Sequence, residues 1–135
     1  MAKILVVDDR PKSLKHLTRA AQIPGAEVQT AGSAREAILR IATETFDVIV
    51  TDLRMEAIEA GLEVLKAAKE KDGYTQVIVI TAYGKPEITA EAMREAAFDF
   101  LERNIPGVDV FEVLRVKVTE ALEFKNAKLR ESGVQ

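Results

Sequence analysis

The sequence predicts a single α/β domain with a doubly wound parallel sheet, and three observations carry that prediction. Strand-like and helix-like segments alternate five times along the 135 residues. Two of the strand segments, around Val48-Ile49-Val50 and Val77-Ile78-Val79-Ile80, are unbroken apolar runs of the kind buried on both faces of a sheet. Carboxylates stand at the carboxyl ends of two strands: Asp8-Asp9 after Ile4-Leu5-Val6-Val7, and Asp52 after Val48-Ile49-Val50-Thr51. Right-handed crossovers leave few topologies for such a chain, and the order 2-1-3-4-5 leads among them.

The elements follow in order. The first strand covers about Lys3–Val7. Pro11 suits the first turn of a helix, where a missing N–H costs nothing, and Leu14, Leu17 and Ala21 recur at helical spacing. His16 lies off that stripe and reads as a solvated helix residue. Pro24-Gly25 breaks the chain before a second strand, Glu27–Ala31. Ser33-Ala34-Arg35-Glu36 is a capping box and opens a helix with Ala34, Ile38 and Ile41 inward. The third strand is placed at Asp47–Thr51, and the next helix at Leu62–Lys71 with Leu62, Leu65 and Ala68 buried. A fourth strand ends at Thr81. Pro86 opens a helix carrying Ile88, Ala92 and Met93. Phe98–Leu101 forms a short fifth strand, and Asp109 with Glu112 opens a last helix to about Arg130.

Composition narrows the function. Hydrophobic residues make up 47% and charged residues 30%, enough for a core beneath a polar surface. A net charge of −3 gives no case for direct nucleic-acid binding, and no apolar run is long enough for a membrane span. The absence of cysteine excludes disulfides and thiol chemistry. No signal peptide is evident, so the cytoplasm is the expected location.

In the order 2-1-3-4-5, strands 1 and 3 are neighbours at the switch point, where ligands bind beyond the strand ends. Asp8, Asp9 and Asp52 therefore meet. Three carboxylates in one crevice resist ionising together, and a divalent cation reverses that cost. An oxygen-only donor set suits Mg²⁺, and a metal beside a carboxylate points to phosphoryl chemistry. Thr81 and Arg103, at the ends of strands 4 and 5, rim the same pocket. The hydroxyl can donate to a phosphoryl oxygen, and the guanidinium can offset the acids.

These residues carry a family resemblance. Val-Val-Asp-Asp (6–9), Asp-Leu-Arg-Met (52–55), Gly-Leu-Glu-Val-Leu (61–65), Thr-Ala-Tyr-Gly (81–84) and Asp-Phe-Leu (99–101) together resemble the receiver domain of two-component response regulators, over about residues 2–125. The resemblance implies a flavodoxin-like fold and a set of roles. Asp52 would accept a phosphoryl group from a histidine kinase or phosphotransfer protein. Asp9 and Asp52 would ligate Mg²⁺ together with the Arg54 backbone carbonyl, and Asp8 would act through a metal-bound water. Thr81 would bond the phosphoryl group. Phe100 would be the aromatic switch toward an unidentified output partner. The domain would catalyse only its own phosphorylation and dephosphorylation. A homodimer is left open.

Three departures set this chain apart. Where the family has lysine and then proline after the fifth strand, this chain has Arg103-Asn104, and arginine is no simple stand-in for lysine at a tight phosphate site. The Arg103–Asn104 peptide is expected trans, since a cis bond before a non-proline residue costs about 2.5–4 kcal/mol. Arg103 is then expected to pair with a pocket carboxylate or to point partly outward. The loop after Asp52 reads Met55-Glu56-Ala57-Ile58-Glu59-Ala60-Gly61, one residue longer than the family's and without its proline, so a reshaped loop is expected. The last helix runs past the usual domain end, which sets the receiver domain at 1–125 and a C-terminal extension at 126–135. Glu123, Lys125, Lys128, Arg130 and Glu131 read there as a solvated face.

Three rival readings remain open to such a sequence. A phosphorylation-independent interaction module on the same fold is favoured by Arg103 and the altered loop, and opposed by the intact acids and Thr81. A flavodoxin-like cofactor binder needs a hydroxyl- and glycine-rich loop after strand 1, where this chain has Asp8-Asp9-Arg10-Pro11. A Mg²⁺ phosphohydrolase of the usual kind spaces its first-strand aspartates two apart, and here they are adjacent.

Overall fold

Alternation of side chains organises the molecule, a computed structural model that describes residues 1–82 and 85–133. Five strands, β1 (Ala2–Val7), β2 (Ala26–Ala31), β3 (Val48–Asp52), β4 (Gln76–Thr81) and β5 (Asp99–Glu102), form one parallel sheet in the order β2-β1-β3-β4-β5. The predicted order is the observed one. Every residue of β3 and β4 is buried, as their unbroken apolar runs require.

Five helices cover the two faces: α1 (Pro11–Ala21), α2 (Ala34–Thr43), α3 (Ala60–Lys71), α4 (Pro86–Arg94) and α5 (Val110–Glu131). Leu5, Val7, Ile49, Val77 and Val79 point to one side and pack against α2, α3 and α4. Ile4, Val6, Val48, Val50, Ile78 and Ile80 point to the other and pack against α1 and α5. Successive strand residues thus feed two separate cores, the period-two rule at work.

The helix starts follow their chemistry. Pro11 and Pro86 begin α1 and α4. Ser33 Oγ accepts from the Glu36 amide at 3.0 Å, while the Glu36 carboxylate reaches back past Ser33 to the Gly32 amide at 2.7 Å. Asp109 caps α5 by accepting from the Phe111 and Glu112 amides.

Several expectations need correction. The fifth strand sits one residue later than predicted, and α3 starts two residues earlier. The buried stripe of α2 is Ala34, Ala37 and Ile41, with Ile38 only half-buried. Met93 is 48% exposed, because the nine-residue α4 turns only Ala92 fully inward. His16 is half-buried, its ring edge-on to Phe111 at 5.6 Å. Lys125 belongs to no solvated face. It is buried, and its ammonium donates to Asp47, which also accepts from the Lys3 amide at 2.7 Å. α5 is therefore fastened to the base of β1 and β3. Among the described residues no helix is long and apolar enough to cross a membrane.

Candidate functional site

The site lies at the carboxyl end of the sheet, where β1 and β3 pair side by side through Ile4↔Val48 to Val7↔Thr51. Asp8 leaves β1 with its amide bonded to the Ala31 carbonyl at 3.2 Å, which fixes its direction. It is fully buried, and its carboxylate is well supplied with donors. Oδ1 accepts from the Arg10 amide at 2.9 Å, and Oδ2 accepts from the Ser13 hydroxyl and from Arg103 Nη2 at 3.2 Å. Asp9 is exposed at the rim.

Asp52 is the last residue of β3 and is 3% exposed. Its Oδ1 accepts from the Leu53 amide at 3.0 Å, and its Oδ2 faces Arg10 Nη2 at 3.4 Å. Burial first, and then the charge of Asp8, push its carboxyl up to about 6, against the opposing pull of Arg103 and Arg10. One carboxylate oxygen from each of Asp8, Asp9 and Asp52 lies within 4.8 Å of the others. An all-oxygen set containing a buried carboxylate that resists ionising fits a hard divalent cation such as Mg²⁺.

Thr81 closes β4 and is buried, and its carbonyl accepts from the Arg103 amide at 2.7 Å. A cavity of about 260 Å³ is lined by Asp9, Arg10, Asp52, Arg54, Met55, Thr81 and Ala82. The structure thus brings Asp8, Asp9, Asp52, Arg54, Thr81 and Arg103 to one place. Phe100 stands apart on β5, half-buried between the core and a groove that it shares with Pro86, Thr89, Ile105 and Val113. Tyr83 and Gly84 of the Thr-Ala-Tyr-Gly motif lie outside the described residues.

Arg103 turns inward. Its side chain is 11% exposed, it pairs with Asp8, and its Nε is buried without a hydrogen-bond partner. Burial lowers its guanidinium from the ordinary arginine value despite the attraction of Asp52 and Asp8. No cis peptide occurs among the described residues, and Asn104 takes a left-handed φ of 62°, a conformation that asparagine tolerates. The chain turns after β5 through that residue.

Three participants escaped the sequence reading. Arg10 reaches both acids, with its Nε 3.7 Å from Asp8 Oδ1. Its place directly after Asp8-Asp9 was the available signal. Ser13, in the first turn of α1, holds Asp8 from below. Glu56 leaves the loop after β3 and caps α2, accepting from the Ala34 and Arg35 amides at 3.0 Å each. No local pattern announces that contact.

Known proteins share this sequence pattern and fold. The family model for the response regulator receiver domain matches residues 4–115. The chain is 32% identical over 127 residues to the C4-dicarboxylate transport transcriptional regulatory protein DctD of Pseudomonas aeruginosa, covering 94% of this chain and 26% of that protein. It is 33% identical over 126 residues to the regulatory protein AtoC of Escherichia coli, covering 93% and 26%. The chain therefore spans about a quarter of the length of these relatives. Among solved structures, a response regulator receiver domain protein from Clostridium thermocellum superposes with a TM-score of 0.78 at 32% identity, over 94% of this chain and 98% of that one. The beryllofluoride-activated NtrC4 receiver domain, solved as a dimer, gives 0.79 at 30% identity, over 93% and 99%. With the family model covering residues 4–115, which reach all five strands and every pocket residue named above, the chain belongs to the response regulator receiver domains.

Proposed function

We propose that this domain is a phosphorylation-controlled switch whose phosphoacceptor is Asp52. One observation carries the reading: Asp52 is the buried carboxylate that faces the cavity, while Asp8 is occupied by three donors beneath it and Asp9 stands at the rim. In the transfer, the P–N bond of a kinase phosphohistidine breaks and a P–O bond to Asp52 Oδ forms. The freed imidazole nitrogen keeps the electron pair. Such a transfer needs positioning and charge neutralisation more than acid–base groups. Mg²⁺, when bound, neutralises the developing charge on the phosphoryl oxygens. Asp9, Asp52 and the Arg54 carbonyl are the residues that would hold it, with Asp8 acting through water. Thr81 donates its hydroxyl to the phosphoryl group, and Arg103 supplies the cation of the pocket at the position of the family lysine.

The output is proposed to run from Thr81 to Phe100, whose half-buried ring borders the groove between α4, β5 and α5. The kinase and an output partner are the binding partners of this reading. The relatives' greater length supports an output domain outside this sequence. The domain boundary at 125 is proposed because Lys125 is the last residue of α5 whose side chain is buried.

Incubation with acetyl phosphate and Mg²⁺, followed by intact-mass measurement, tests the reading. One added phosphate is expected on the wild type and none on Asp52→Asn; equal labelling of the mutant would sink the assignment. A second reading, an interaction module that works without phosphate, is favoured by the two guanidinium groups already on the acids. It predicts no mass gain for the wild type under any Mg²⁺ concentration.

A further inference from the structure

The loop between β3 and α3 carries an unexplained residue. Its two ends are clamped. The Leu53 amide donates to the Ile80 carbonyl at 2.9 Å, and the Gly61 amide donates to the Leu53 carbonyl at 2.8 Å. Gly61 approaches so closely that a Cβ there would lie 2.3 Å from the Asp52 carbonyl oxygen. Between the clamps, neighbouring residues take different tasks. Arg54 lines the cavity, Met55 packs against the core, and Glu56 reaches away to α2.

Glu56 stands where the family's loop has its proline. Proline stiffens a loop by fixing φ; a glutamate does not. Here both carboxylate oxygens are used, one on the Ala34 amide and one on the Arg35 amide. These are the free N–H groups of a helix first turn, where a negative charge is favoured. A cap serving α2 alone is already present in Ser33. A residue more than twenty positions away, on the loop that borders Asp52, constrains that loop as much as the helix.

We propose that Glu56 is a positioning residue: by tying the 53–57 segment to the N-terminus of α2, it holds the Arg54 backbone where a divalent cation needs it and so sets cation affinity. The inference rests on the metal site of the proposed function. It also makes α2 a sensor of the site, because the two share one carboxylate.

The test is a Mg²⁺ titration of the full 135-residue chain, followed by amide NMR, for wild type, Glu56→Ala, Glu56→Gln, Arg35→Pro, Arg35→Ala and the Glu56→Ala/Arg35→Pro pair. Loss of a group that orients a metal ligand typically weakens affinity by about tenfold, and that is expected for Glu56→Ala. Glu56→Gln, with one acceptor oxygen left, falls between. Arg35→Pro removes one of the two donors while proline is tolerated in a first helical turn, so it also weakens binding, and Arg35→Ala does not. The pair is no weaker than Glu56→Ala alone, the signature of a shared contact. Mg²⁺ shifts the Ala34 and Arg35 amides in the wild type and leaves them still in Glu56→Ala, which a cap with no part in the site would not produce. Full affinity in Glu56→Ala, or losses that multiply in the pair, overturns the inference alone. A wild type that binds no Mg²⁺ overturns it together with the metal site.

Discussion

Replacing Asp52 by asparagine should stabilise the metal-free domain at neutral pH. The residue is 3% exposed, and burial together with Asp8 raises its carboxyl from 3.8 to about 6. The folded state therefore binds the proton more tightly than the unfolded chain. Neutral Asp52 contributes its full stability below pH 3.8, and that contribution is lost as the pH rises through 6. A rise of this size corresponds to about 3 kcal/mol, a ceiling, since water entering the pocket screens the charge. Asparagine keeps the shape and the acceptor for the Leu53 amide but carries no charge. In EDTA at pH 7.5, Asp52→Asn should raise the urea midpoint by up to about 1.5 M if unfolding follows about 2 kcal/mol per molar urea. At pH 4 the gap should nearly vanish, because the wild type is then protonated as well. Titrating groups remote from Asp52 are common to both proteins and cancel in the difference. A mutant no more stable than the wild type at pH 7.5, or a gap that ignores pH, would refute the electrostatic account of the pocket.

Other perturbations separate the two arginines and test the backbone. Arg10→Ala removes a half-exposed competitor for the acids, and since such pairs are worth up to about 1 kcal/mol, Mg²⁺ should bind up to about fivefold more tightly at low salt; calorimetry showing weaker binding would count against competition. Arg103→Lys should speed labelling by acetyl phosphate, as a compact ammonium can leave Asp8 for the phosphoryl group, and a rate that stays level removes the idea. Ala96 closes α4 at a left-handed φ of 65°, so Ala96→Gly should stabilise the fold by about 1 kcal/mol in a urea melt; a destabilised mutant would show that the alanine methyl is needed for packing.

What the sequence disclosed depended on how local the signal was. The runs at Val48–Val50 and Val77–Ile80, the two helix-opening prolines and the caps at Ser33 and Asp109 are all short-range. Each appears in the structure where local chemistry places it. The acid cluster followed from topology, because one strand order puts β1 beside β3. Edge elements were harder. β5 has four residues with mixed burial, so its register carried little pattern. The small α2 residue Ala37 took the inward place assigned to Ile38, sharing one face with Ala34 and Ile41 at helical spacing. Arg10, Glu56 and Lys125 reach partners more than twenty residues away, and no period in the sequence encodes where a long charged side chain will end.

The pocket's charges also decide which part of it can move. Two carboxylates are buried, and two guanidinium groups answer them from different surroundings. Arg103 is enclosed, its amide is bonded to Thr81 and its side chain to Asp8. Moving it would break a buried pair and leave Asp8 short of a partner, a cost of several kcal/mol. The Arg10 side chain is 55% exposed and touches both acids only at 3.4–3.7 Å. Water can replace it at little cost. A cation entering from the cavity would therefore displace Arg10 and leave Arg103 in place. Asp8 would remain held by Ser13 and Arg103 beneath the site, and Asp9 and Asp52 would be the proposed ligands. On that argument the departure at position 103 fixes the floor of the pocket, and the response to metal falls to Arg10 at its mouth.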